Sequence, residues 1–361
     1  MSPFPHDFYH FWAAARVALR GDDPYQVGVV YQEMIAAGWP TNEGFFGFLH
    51  PFWSLWLFAP LALLPFPIAR VVWEFTLICT LAWSLTIILR SPLRNLLHIA
   101  APREAMVYAA ILFPPLVSTL YNGQSNAFVL LSVVAWLRLA LSGKLFGAGV
   151  ALSLTTLKPQ LFSIFYAWLF LNEARRCNFK QLLGFICGWL VQCVIAVWFA
   201  PHSAENWWQA VNSYVSRVMI LPTPSLSRIL GEATGLSSIQ YAPTVLALIT
   251  IVWLLTHNRV RTVLAGVSAM LPLSVLCAPY AWSHAFLPLL PTYLSMVSTF
   301  CVHARALTTY GVALFGLLGM IGMNNPYTLD IYMLVIPLAL ILHYRARLRQ
   351  ENLLASSSPT G

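Results

Sequence analysis

Apolar runs separated by short polar ends recur along most of the chain, and few charges fall inside any run. The runs lie at about 70–89, 104–120, 127–141, 145–157, 160–171, 182–199, 243–255, 263–276, 285–301, 307–321 and 328–341. They predict an all-α, polytopic transmembrane protein with about eleven membrane helices and additional interfacial helices. Several runs fall short of the ~20 residues a perpendicular helix needs, so 145–171 reads either as a hairpin of two spans or as one broken helix. Ahead of the first span, Phe8, Phe11, Trp12, Ala15 and Leu19 recur at helical spacing. They predict an amphipathic helix with one face in lipid and with Arg16 and Arg20 at the headgroups. Gly21-Asp22-Asp23-Pro24 ends it with a turn, in which Asp22 and Asp23 read as turn formers. Residues 49–64 are apolar enough to cross, but Pro51, Pro60 and Pro65 with Trp53 and Trp56 favour a broken interfacial helix.

Composition narrows the class. Of 361 residues, 59% are hydrophobic and 9% charged, against about a quarter charged in an ordinary soluble domain. The net charge of +8 then reads as cytoplasmic loops facing anionic lipid, and a nucleic-acid partner is not expected. With the N-terminal loop outside, only Arg16, Arg20, Arg70, Lys158, Arg217 and Arg228 of the 20 basic residues lie on the outer face, and the C-terminus is inside. If 49–64 crossed instead, Arg90 to Arg103 would face outward. The six cysteines sit in or beside apolar runs without a C-x-x-C pair, so neither disulfides nor a metal site is expected. No basic n-region or apolar h-region precedes Asp7, so no cleaved signal is expected.

No repeat and no Gly/Ser linker divides the chain. It reads as one transmembrane domain, 1–361: an outer loop with amphipathic and interfacial helices (1–68), a helix module (69–200), a second outer loop (201–240), C-terminal helices (241–344) and a cytoplasmic tail (345–361).

The polar, proline-broken ends collect on the outer side, where irregular backbone can meet water or protein. They hold Asp7, Gly123-Gln124-Ser125-Asn126, Leu157-Lys158-Pro159, the 201–240 loop with Trp207-Trp208, Arg217 and Arg228, Pro279-Tyr280-Ala281-Trp282-Ser283-His284, and Met323-Asn324-Asn325-Pro326. Asp7 has two readings, a helix cap or a general base. Lys158 is either a lysine snorkelling to headgroups or a functional ion. His284 is either an interface histidine beside the belt residue Trp282 or a proton donor. There is no P-loop, no G-x-G-x-x-G after a strand, no H-E-x-x-H and no D-x-D pair, and the last absence argues against a metal-bound nucleotide-sugar donor.

Residues 7–25 read D-F-x-x-F-x-x-A-A-R-x-x-L-x-G-x-D-P-Y. This resembles the opening loop of glycosyltransferase family 87, membrane enzymes of C-type architecture that use lipid-phosphate sugars and include mannosyltransferases. The Gly-Gln element at Gly123-Gln124 and the Lys-Pro at Lys158-Pro159 stand in the family's order. Ala281-Trp282-Ser283-His284-Ala285 is similar to a late Ser-Trp-x-His-His motif, with alanines in place of its serine and second histidine. Thr223-Pro224-Ser225-Leu226 resembles its polar-Ser-Leu element. The family's Y-P-P is His50-Pro51-Phe52 here. The family also carries a membrane helix ahead of the acidic loop; none precedes Asp7, and the expectation is a start site placed late.

The resemblance implies inverting transfer of a sugar, mannose favoured, from a polyprenyl-phosphate donor to a lipid or glycan hydroxyl. It implies Asp7 and His284 as catalytic residues, and Lys158, Gln124, Asn126, Tyr280, Trp282, Arg217 and Arg228 as substrate-binding residues, with no cofactor and no metal. It also implies a bacterial inner membrane with the active face toward the periplasm or exterior. Two rivals stand beside it: a transporter or flippase with Lys158, His284 and Glu74 in a lipid-facing cavity, and a truncated, inactive relative.

Overall fold

A computed structural model describes residues 6–41, 47–90, 92–218, 226–235, 242–256, 262–303 and 335–346. The described residues are helical, without a strand. In chain order the helices are α1 (His6–Leu19), α2 (Val27–Ala36), α3 (Leu55–Ala62), α4 (Phe66–Leu89), α5 (Leu93–Leu96) and α6 (Arg103–Ile111). There follow α7 (Pro114–Tyr121), α8 (Asn126–Leu141), α9 (Leu145–Leu152), α10 (Ser163–Arg175), α11 (Lys180–Phe199) and α12 (Ser203–Val218). The last are α13 (Leu226–Thr234), α14 (Ala242–Thr256), α15 (Val263–Ala265), α16 (Leu271–Leu276) and α17 (Leu290–His303), with a final apolar helix at Val335–Ala346. The candidate span at 307–321 and the Met323–Pro326 turn lie outside the described residues.

By length and apolarity, three described segments can cross a membrane: α4, α11 and Ser283–Val302. A fourth arises if α6 and α7, bent at Pro114 and Pro115, form one broken span. The other apolar runs form shorter helices, so the expected eleven crossings are not matched one for one. Exposed apolar side chains crowd α4 (Val71, Phe75, Ile78, Trp83) and α11 (Leu190, Val191, Val194, Trp198). Such continuous apolar exposure suits lipid and would be costly in water.

The chain divides into two units, the first comprising Met1–Thr86, Leu116–Pro159 and Lys180–Leu221. In it α1 is packed on nearly every side. Phe8, Phe11, Trp12, Ala13, Ala14 and Val17 are buried, so the expected lipid-facing helix is instead a core helix. Its neighbours explain this. Phe8 stacks on Trp73 of α4 at 5.5 Å, Tyr9 on Phe66 at 3.9 Å, and Phe11 on Phe58 of α3 at 4.7 Å. The Trp12 Nε1–H donates to the Leu64 carbonyl at 3.1 Å. The arginines expected at headgroups are engaged by protein. Arg16 donates to the Ala62 carbonyl that ends α3, and both Arg16 and Arg20 pair with Glu33 of α2, at 2.9 and 2.6 Å.

Residues 49–64 form a 3₁₀ turn (Phe52–Ser54) leading into the eight-residue α3. At 1.5 Å per residue that helix cannot span the ~30 Å of a hydrocarbon core, in line with the broken-helix expectation. Elsewhere in this unit α9 and α11 cross at backbone contact. A Cβ on Gly149 would lie 2.0 Å from the Gln181 carbonyl oxygen, and one on Gly184 2.0 Å from that of Phe146. Trp136 of α8 donates to Gln181 Oε1 at 2.8 Å, and the Gln192 amide donates to Ser153.

The second unit comprises Ile87–Pro115, Gln160–Phe179 and Pro222–Gly361. Here α10 packs on α14 and α16, and Ser274 Oγ accepts from the Ile164 N–H at 3.2 Å, capping α10 from another helix. Gly266 opens a π-helical turn (Gly266–Met270) against the Trp168 ring, where a Cβ would lie 2.2 Å from ring carbon. Pro272, which has no N–H to donate, follows at the start of α16. Helix α17 packs on α6; its Ser295 and Ser298 bond the 97–101 backbone, and Tyr293 stacks on Phe113 at 4.4 Å.

Candidate active site

Three residues far apart in sequence meet in the first unit. Asp7 sits inside the first turn of α1, so it is not the residue that precedes and caps the helix. Gln124 follows α7, where Gly123 at φ +62° turns the chain and the Gln124 N–H closes on the Thr119 carbonyl. That conformation favours glycine, and Trp73 pins it by donating to the Gly123 carbonyl at 2.7 Å. Lys158 is the first residue beyond a 3₁₀ turn (Ser153–Leu157) that continues α9, in which the Thr155 and Thr156 hydroxyls bond back to the carbonyls of Leu152 and Ser153. Such back-bonding tightens the turn and ends the helix at the lysine.

These elements form a relay that runs from the buried Lys158 to the partly exposed Asp7. Lys158 Nζ donates to Gln124 Oε1 at 2.8 Å, and Gln124 Nε2 donates to Asp7 Oδ2 at 2.5 Å. The amide satisfies both partners in only one orientation, which fixes the assignment of its oxygen and nitrogen. Lys158 is buried; burial lowers its pKa to about 8, with the Asp7 charge opposing the shift. At neutral pH it is therefore still an ammonium, with donors beyond the one given to Gln124. Ser125 and Asn126, at the start of α8, are fully buried beside Gln124, and the Ser125 hydroxyl has no hydrogen-bond partner among the described residues.

Two histidines complete the first unit's cluster, and the sequence pattern singled out neither. His10 Nδ1 lies 3.9 Å from Asp7 Oδ1, one helical turn along α1. His50 is buried among Phe11, Phe48 and Phe58, its ring 4.6 Å from that of Phe11, and its carbonyl accepts the Tyr25 hydroxyl at 3.0 Å. Burial first, then the charges of Lys158 and His10, push its pKa well below the ordinary histidine range; a hydrogen bond with the Leu157 backbone opposes them. His50 is therefore neutral at physiological pH. The only sequence signal for it was its place where the family pattern has tyrosine.

Tyr280, Trp282 and His284 belong to the second unit, with His284 buried in a 3₁₀ segment (Ser283–Leu289), Tyr280 half-buried and Trp282 36% exposed. Arg217 and Arg228 fall in α12 and α13, with their side chains outside the described residues, as are Thr223, Pro224 and Ser225. Trp207 of α12 packs on Trp53 at 5.1 Å, while Trp208 is exposed. Asp23 Oδ1 accepts the Tyr25 N–H, the turn-forming role expected of it. Glu74, which the transporter alternative sets near a cavity, pairs with Arg70 one turn away on α4 at 2.8 Å. Among the described residues no three of His, Cys, Asp and Glu are grouped to hold a metal.

The family model for glycosyltransferase family 87 matches residues 48–279. The chain belongs to glycosyltransferase family 87. This family-87 member is thus a membrane glycosyltransferase that works with a sugar donor and an acceptor. The matched stretch contains His50, Gln124, Asn126, Lys158, Arg217 and Arg228; Asp7 precedes it, and Tyr280, Trp282 and His284 follow it. No curated protein and no solved structure matches the chain.

Proposed function

We propose that this family-87 enzyme transfers a sugar, mannose favoured, from a polyprenyl-phosphate donor to a lipid or glycan hydroxyl, with inversion, on the outer face of a bacterial inner membrane. The observation that carries the reading is the Asp7–Gln124–Lys158 relay, a carboxylate and a buried ammonium held apart by one amide. Transfer from a lipid phosphate needs those two charges: a base for the acceptor proton and a cation for the departing phosphate. The acceptor oxygen attacks the anomeric carbon as its proton passes to the Asp7 carboxylate. The bond from that carbon to the phosphate oxygen breaks, and the electron pair leaves on the phosphate, against Lys158. Gln124 holds both groups in place. Asn126, Tyr280, Trp282, Arg217 and Arg228 are assigned to substrate binding, and His284 to the phosphate or the proton.

The test is transfer by purified protein in lipid, from radiolabelled polyprenyl-phosphate mannose to a membrane lipid extract, beside Asp7→Asn. Loss of transfer in a folded Asp7→Asn protein is expected. Full activity in that variant overturns the assignment of the base.

A further inference from the structure

We propose that His50 binds substrate in this site, its Nδ1 accepting a hydrogen bond from a hydroxyl on the donor's sugar. The inference deepens the proposed function and rests on it. His50 is 9% exposed, and its Nδ1 is buried with no hydrogen-bond partner among the described residues. The ring's bond with the Leu157 backbone must therefore use the other nitrogen, which makes the tautomer Nε2–H and leaves a lone pair on Nδ1. The ring is not free to turn away. Phe11, Phe48 and Phe58 surround it, and Tyr25 holds its backbone. A buried acceptor left without a donor is destabilising, so the site is complete only when something supplies an O–H or N–H.

Chemistry and position select the donor's sugar. A neutral imidazole with a lone pair at Nδ1 attracts a hydroxyl and repels a phosphate oxygen, which has no proton to give. The ring hangs on the carbonyl of Leu157, the residue immediately before the lysine assigned to the phosphate. The group bonded to that phosphate is the sugar. His50 also feels the charge of Lys158, the cationic end of the relay, and that of His10, whose Nδ1 lies 3.9 Å from Asp7 Oδ1.

The test uses full-length protein in lipid nanodiscs, with polyprenyl-phosphate mannose and a set of analogues each lacking one sugar hydroxyl. Wild-type protein should disfavour one analogue by at least about tenfold in kcat/KM. H50Q keeps an amide able to reach Leu157 and offers no acceptor at the Nδ1 position. It should lose about tenfold on the parent donor and nothing further on that analogue. H50N, whose amide oxygen falls near the Nδ1 position, should retain the discrimination, and it carries the test by itself if H50Q does not fold. Equal losses on every analogue in H50Q, wild-type kinetics in H50Q, or discrimination lost in H50N overturns the His50 assignment while leaving the function intact. Absence of transfer by the wild-type protein overturns the function and the His50 assignment together.

Discussion

At the scale of single residues, the candidate site rests on one carboxylate, one amide and one lysine. Lys158 has its pKa lowered to about 8 by burial, so its ammonium is lost as pH rises through that value. Donor KM should therefore rise above about pH 8. Lys158→Gln should weaken donor use by about tenfold or more at pH 7 and flatten that pH dependence, measured as initial rates against donor concentration. The sign for stability is opposite. Between about pH 8 and the ordinary value of 10.5, the unfolded chain holds a proton that the folded one has released, so this residue's contribution to stability grows with pH. Gln124→Leu keeps the volume but leaves Asp7 and Lys158 without their shared partner. Breaking a buried bridge of this kind costs about 1–3 kcal/mol, so kcat/KM should fall roughly tenfold or more without loss of the folded protein. Lys158 was legible as a candidate because an ion between apolar runs is conspicuous, and Asp7 and Gln124 because they stand where the sequence resembles family 87. Their bonding was not legible, since 117 residues separate Asp7 from Gln124. His50 stayed hidden because nothing in its local pattern distinguishes a site histidine from one packed among phenylalanines.

Among elements, helix contacts overrode local amphipathicity. The first helix carries a face suited to lipid, yet α2, α3 and α4 cover it, and Arg16 and Arg20 meet Glu33 rather than headgroups. Amphipathic spacing states only that one face is to be buried; the partner is a tertiary matter. The α9–α11 crossing shows the reverse case, where small residues foretell close approach. Gly184→Ala would place a Cβ 2.0 Å from the Phe146 carbonyl, which is backbone and cannot swing aside. It should lower stability by about 1–3 kcal/mol in thermal unfolding of the purified protein. Gly28→Ala in α2 meets nothing within 4 Å. It should raise stability by up to about 1 kcal/mol through helix propensity and a stiffer unfolded chain.

For the molecule as a whole, the charge pattern predicts a cytoplasmic C-terminus and an outer 201–240 loop. A reporter active only inside the cell should work when fused at the C-terminus, and one active only outside should work when inserted at 235; the reverse pattern would overturn the orientation. Composition and periodicity alone determined the helical membrane class, the approximate helix positions and the polar stretches between them. Those properties follow from transfer of each segment out of water, which depends on local sequence. Helix partners and several lengths were decided only by tertiary structure: α1 covered by its neighbours, the π turn at Gly266, the lysine stopped at the end of a 3₁₀ turn. So was the meeting of Asp7 with Gln124 and Lys158. A buried hydrogen bond forms only where both partners are brought within about 3 Å, and that distance is set by the packing of several helices at once, not by any one of them.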